Sequence, residues 1–181
     1  MAGITLNDFK NNISGVSRPN RFLVEMGGTI LTSSLGTSAG GAAKFSYYAK
    51  KAQIPKVSVT GPEIKYRGTK ITLSSEKKHD PLTISFINDG EWKIRTFFED
   101  WIKTKIYNYD GNESKRGHAK DYLLGEELIV KHIGLGEDII ATYKFKDVVP
   151  LEISEIDLGY EQKDSQEEFT VTFNYSTWER I

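Results

Sequence analysis

Between Glu168 and Ser176 the chain alternates without a break: Phe169, Val171, Phe173 and Tyr175 share one parity, and Glu168, Thr170, Thr172 and Asn174 the other. Successive side chains of a strand point to opposite faces, so this run predicts a half-buried strand with an aromatic packed side and a hydroxyl-rich wet side. Phe169, Val171, Phe173 and Tyr175 are therefore expected in the core. Shorter versions of the pattern recur at Phe22, Val24 and Met26, at Thr69, Ile71 and Leu73, and at Ile139, Ala141, Tyr143 and Phe145. From Leu151 to Leu158 the apolar residues change face once, around Ser154 and Glu155, as a bulge there would make them do. Repeated two-residue periodicity of this kind specifies a mainly β architecture.

One segment departs from it. After Leu82–Asn88, itself strand-like, Ile94, Phe97, Phe98, Trp101 and Ile102 recur at helical spacing, and Asp89 is suited to cap the start. A helix over residues 91–105 is expected. Its stripe is too broad and aromatic to face water, so it should pack over the flank or mouth of a sheet. Two other stretches read as loops. Residues 27–44, rich in Gly, Ser, Thr and Ala, are followed by Tyr47, Tyr48, Lys50, Lys51, Ile54 and Pro55, and residues 27–53 suggest an extended arm loop; residues 107–122, with Asp110-Gly111-Asn112 and Lys115-Arg116-Gly117-His118, suggest a surface loop. With 181 residues, no linker and no internal repeat, a single domain preceded by an N-terminal segment over 1–17 is expected.

Composition narrows the chemistry. There are no cysteines, hence no disulfide, thiol catalysis or cysteine-bound zinc. Lys and Arg total 24 against 25 Asp and Glu, a balance ill suited to strong sequence-independent binding of nucleic acid. Mean hydropathy is −0.44, and no apolar run approaches the about 18 residues of a membrane span. Residues 1–12 lack the basic segment and apolar core of a secretory signal, so the three Asn-x-Ser/Thr sequons at Asn12, Asn112 and Asn174 carry little weight.

Candidate sites fare no better. His79, His118 and His132 stand far apart, outside any metal-ligating spacing. Gly36–Lys44 lacks the Gly-Lys-Ser/Thr ending of a phosphate loop, and Gly134-Leu135-Gly136 lacks the third glycine of a dinucleotide loop; both read as turns. Glu152, Glu155, Asp157 and Glu161 lie near one another without an activating partner and read as a solvated face. Trp92, Trp101 and Trp178, with nine Tyr and nine Phe, could stack on bases, but only Lys50, Lys51 and Lys56 form a basic concentration beside aromatics. No catalytic, cofactor or metal site is expected.

The order of motifs carries a resemblance. Arg18-Pro19-Asn20-Arg21-Phe22-Leu23-Val24, the Ile54-Pro55 step, Leu82-Thr83-Ile84-Ser85-Phe86-Ile87-Asn88-Asp89, the aromatic helix, Pro150, and a terminal Phe-x-Val-x-Phe-x-Tyr-x-x-Trp together resemble the major tail tube protein of contractile-tailed (myovirus-type) bacteriophages, within the tail tube and type VI secretion tube superfamily. The resemblance spans residues 18–179. It implies an antiparallel β-barrel or sandwich of the tail-tube type that forms homohexameric rings. The rings stack into a hollow tube inside a contractile sheath, with a baseplate or tube initiator, a tape measure protein and transient passage of DNA. It further implies synthesis in the host bacterial cytoplasm, a final place in the virion tail, and no membrane insertion.

The residues support assembly in their own right, since long strands leave edges that ring closure removes. Tyr47, Tyr48, Lys50, Lys51, Ile54 and Pro55 on the expected arm are candidate contacts between subunits and rings. Lumen-facing positions are expected to be neutral or acidic, with Lys and Arg at interfaces or outside. Two alternatives stay open: the tube of a phage-derived injection system carrying protein, and, from another class, a monomeric β-barrel binding a small ligand or oligosaccharide.

Overall fold

The computed structural model describes Leu6 and residues 17–28, 41–109, 114–116, 126–160 and 166–181. Its main strands form two open four-stranded antiparallel sheets, the sandwich alternative of the expected fold. Sheet one runs β1 (Phe22–Gly27), β10 (Glu127–Ile133), β11 (Ile139–Lys146), β14 (Thr177–Arg180). Sheet two runs β12 (Val149–Ile153), β13 (Glu168–Asn174), β7 (Leu82–Ile87), β2 (Ala49–Ala52). Register places like against like: Val24 opposes Val130, Leu128 opposes Phe145, and Phe169, Val171 and Phe173 oppose Phe86, Ile84 and Leu82. All of these are buried. Tyr175, just past the end of β13, is buried as well.

Outside the core, the wet face of sheet one is laced by cross-strand ion pairs, Lys131 with Glu25 at 2.7 Å, Lys144 with Glu127 at 2.9 Å and Lys146 with Glu179 at 3.0 Å. The wet face of sheet two is hydroxylic: Thr83, Ser85, Thr170 and Thr172 line it half-buried, with Ser85 Oγ 3.2 Å from Thr170 Oγ1.

Two helices close the core. α1 (Gly41–Tyr48) contributes Phe45, and α2 (Lys93–Asp100) contributes Ile94, Phe97 and Phe98. Phe98 is the hub, with ring centroids 5.4 Å from Phe45, 5.4 Å from Phe86, 5.3 Å from Phe97 and 5.7 Å from Phe173. Burying a side chain of this size stabilises by roughly 1.5–3 kcal/mol, and ring pairs add more. The helical stripe therefore lies on the inner face of sheet two, with Trp101 buried and Ile102 half-buried.

The structure differs from the sequence expectations at five places. The expected arm over 27–53 is not extended at its C-terminal end: residues 41–48 are helical and Ala49–Ala52 pair with β7, because Phe45 is drawn into the aromatic core. The rest of that arm, residues 29–40, lies outside the described residues, as do most of the N-terminal segment, Gly36, His118, Asn12, Asn112 and Glu161. The helix expected over 91–105 is α-helical only from Lys93, then continues as a π-helical segment, Trp101–Ile106. Trp92 takes a left-handed φ of 56°, and Asp89 Oδ1 accepts the Ile94 N–H at 3.3 Å.

Within the expected loop over 107–122, β8 (Tyr107–Tyr109) and β9 (Ser114–Arg116) pair as a ribbon. The expected bulge at Ser154 and Glu155 lies instead between Pro150 and Glu152, turning Leu151 to solvent, and the strand ends at Ile153. Finally, Thr69 and Ile71 belong to a strand exposed on both faces rather than a half-buried one, and Leu73, just past its end, is exposed as well.

Candidate assembly surface

That exposed strand is part of a longer feature whose apolar side chains stay exposed. β3 (Val57–Thr60) pairs with β6 (Glu76–His79), and β4 (Glu63–Tyr66) pairs with β5 (Thr69–Thr72). The Leu73 N–H donates to the Pro62 carbonyl at 3.0 Å and the Ser75 N–H to the Thr60 carbonyl at 3.0 Å, joining both ladders into one ribbon over residues 57–79. At the tip, Arg67 and Gly68 have φ of 48° and 84°, the positive values a two-residue turn needs to match strand twist. At the joint, Gly61 lies so close to the Leu73 carbonyl that any Cβ would overlap it. Val57, Val59, Ile64, Tyr66, Ile71 and Leu73 are about half exposed or more, Tyr66 at 62%.

The root of the ribbon is tied to the body. The Tyr175 hydroxyl donates to the Asp80 carbonyl at 2.8 Å, and His79 meets the Tyr175 ring edge-on at 5.6 Å. Lys56 and Lys78 each lie 3.8 Å from the Asp80 carboxylate, and Lys77 sits 4.5 Å above the Trp178 ring. Burial, and secondarily the Asp80 charge, push the Tyr175 phenol above its ordinary pKa.

The residues expected on the arm fall in two groups. Tyr47 is 81% exposed and Ile54 57%, whereas Tyr48 packs against the core. Lys50 is ion-paired with Glu168, Lys51 is exposed on edge strand β2, and Pro55 is half-buried where the chain leaves for the ribbon. Ile54 also borders a groove of about 390 Å³ with Pro19, Phe22, Ala52, His132 and Tyr143. The ribbon was missed as a unit; a signal for it was the apolar alternation over 57–73 combined with cations at Lys65, Arg67 and Lys70.

The N-terminal motif has a structural role. Arg21 donates to the carbonyls of Gly134 and Leu135 at 3.1 and 3.2 Å, pinning the β10–β11 turn, and His132 Nε2 lies 3.0 Å from the Arg18 carbonyl. Gly134-Leu135-Gly136 is indeed that turn, the Gly134 N–H donating to Asp138 at 2.7 Å. Among the described residues no group of three or more His, Asp or Glu is placed to hold a metal ion, and no helix is long and apolar enough to cross a membrane.

Among the described residues each main sheet ends in two edge strands, and these edges with the projecting apolar and basic ribbon mark a structural subunit, one whose chemistry lies in its contacts. The chain belongs to the phage tail tube protein family, whose model matches residues 17–181. It is 23% identical to tail tube protein gp19 of Enterobacteria phage T4 over 163 residues, covering 90% of this chain and 91% of that protein, and matches gp19 of Enterobacteria phage T6 to the same extent. A chain in the cryo-EM structure of the anti-feeding prophage baseplate shares the fold with a TM-score of 0.65 at 8% identity, over 93% of this chain and 97% of the other. A chain in the sheath-tube complex of an extracellular contractile injection system gives 0.57 at 9% identity, over 96% of each. The protein is thus a structural tail tube subunit.

Proposed function

We propose that this chain, as one domain, builds the inner tube of a contractile phage tail: six copies close a ring, rings stack, and the tube lies inside a sheath as the conduit for DNA. Its expected partners are the sheath protein, a baseplate or tube initiator and the tape measure protein, and its place is the virion tail after synthesis in the bacterial cytoplasm. It works by rigid assembly, without catalysis, cofactor or membrane insertion. The observation that carries this reading is the family match over residues 17–181, supported by 23% identity to the T4 tail tube protein across nine-tenths of both chains.

The strands that end the two sheets among the described residues, β1, β14, β12 and β2, suit completion by neighbouring copies. The wet face of sheet two is hydroxylic at its centre, with Lys51 opposite Ser85 and Glu152 opposite Thr172 on the flanking strands, and a face without basic excess suits a DNA conduit, since basic rings would hold the phosphate backbone. Tyr47 and Ile54, exposed beside edge strand β2, remain candidates for contacts between copies. Negative-stain micrographs of the purified protein test the reading. Hexameric rings or tubes are expected, and a species that stays monomeric at millimolar concentration overturns it. The fold likeness to a chain of a contractile injection system's sheath-tube complex supports a second reading, the tube of such a system carrying protein; DNA recovered from the lumen of native particles would separate the two.

A further inference from the structure

We infer that the tip of the ribbon of one subunit docks in a carboxylate-rimmed hollow at the opposite end of sheet two of a second copy. This rests on the tube reading and names the partner surface within it. The ribbon springs from the Leu82 end of β7. The hollow, of about 380 Å³, lies at the Ile87 end, where Glu168 pairs with Ile87 and the Asn88 N–H donates to the Glu167 carbonyl at 2.8 Å. A six-residue strand separates the two by roughly 17 Å.

Their chemistries are complementary. Residues 56–80 carry six Lys or Arg against three carboxylates. At the tip Lys70 is 3.7 Å from Glu63, and Arg67 lies over its neighbour Tyr66, while Lys65 is exposed. The described lining of the hollow carries four carboxylates, Glu155, Asp157, Glu167 and Glu168, and no lysine or arginine. Glu155 and Asp157 are exposed and make no ion pair among the described residues, and Ile156 and Leu158 give the same hollow an apolar side, Leu158 being 74% exposed. Ile64 and Tyr66 at the tip match that side as the cations match the rim. An apolar ribbon left in water is a liability for a monomer and a recognition element for an assembly. Because the two surfaces differ and sit at opposite ends, the contact is heterologous and repeats from copy to copy.

Charge reversal tests it. Lys65→Glu/Arg67→Glu/Lys70→Glu in one chain and Glu155→Lys/Asp157→Lys in another should each cut the tube fraction pelleted by ultracentrifugation at least tenfold, with unchanged circular dichroism. The chain carrying all five substitutions should recover pelleting to within about threefold of wild type. Two single-set variants that pellet normally, or a five-fold variant as soluble as its parents, overturn the docking while leaving the tube reading intact; a wild-type chain that never pellets removes both. In this cysteine-free background, Tyr66→Cys/Leu158→Cys should give a ladder of multimers on oxidation, and monomer alone would contradict the contact.

Discussion

The region around Phe98 and the ribbon over 57–79 obey the same sequence rule and meet opposite fates. In both, apolar side chains alternate with polar ones or recur on a helical stripe. Around Phe98 each apolar face finds another within the chain, from Phe45 on α1, Phe86 on β7 and Phe169 and Phe173 on β13. On the ribbon, Ile64 opposes Ile71 across a two-stranded ladder, and among the described residues both stay about half exposed. The difference teaches that alternation records a face to be covered but not which molecule covers it.

This contrast can be broken or sharpened by mutation. Phe98→Ala removes the hub and should destabilise the monomer by about 3–5 kcal/mol, measured by urea unfolding below the assembly concentration; a loss under about 1 kcal/mol would mean the core is not organised by that ring. Gly61→Ala forces a methyl onto the Leu73 carbonyl, so the ribbon must bend at its joint. We expect a monomer loss of about 1–3 kcal/mol and tube formation abolished, and normal tubes from this variant would show that ribbon shape is irrelevant.

Tyr175→Phe deletes one hydrogen bond at the root, for about 1 kcal/mol. It also tests a pH effect. The folded phenol binds its proton more tightly than the unfolded one, so its contribution is complete below the ordinary tyrosine value and fades as pH rises above about 10. Thermal melts across pH 8–11 should show a steeper alkaline loss for wild type than for the variant, and parallel curves would dismiss that assignment. Smallest for the monomer is Ile64→Ser/Tyr66→Ser, expected within about 0.5 kcal/mol of wild type while raising the concentration needed for tubes at least tenfold. A large monomer loss there would erase the distinction between the two regions.

Much of the fold was legible. The strict alternation of Phe169, Val171 and Phe173 and the stripe of Ile94, Phe97, Phe98 and Trp101 are local patterns that tertiary structure merely covers. What was illegible was decided at long range. Gly41–Tyr48 has the composition of a loop, and only the pocket formed by Phe86, Phe97 and Phe98 for Phe45 explains why it coils there. The shift at Leu151 depends on pairing with β13, which no window of residues around it contains. The candidate surface was partly visible: Tyr47 and Ile54 stand exposed, but the more prominent ribbon was hidden because Thr69, Ile71 and Leu73 read the same whether buried or bare.

The opposite ends of β7 carry one last consequence. Growth by adding such subunits is directional: one extremity of the finished object always offers bare ribbons, the other bare carboxylates. Whatever starts the object must imitate one of these chemistries and whatever stops it the other, so a starter cannot double as a stopper.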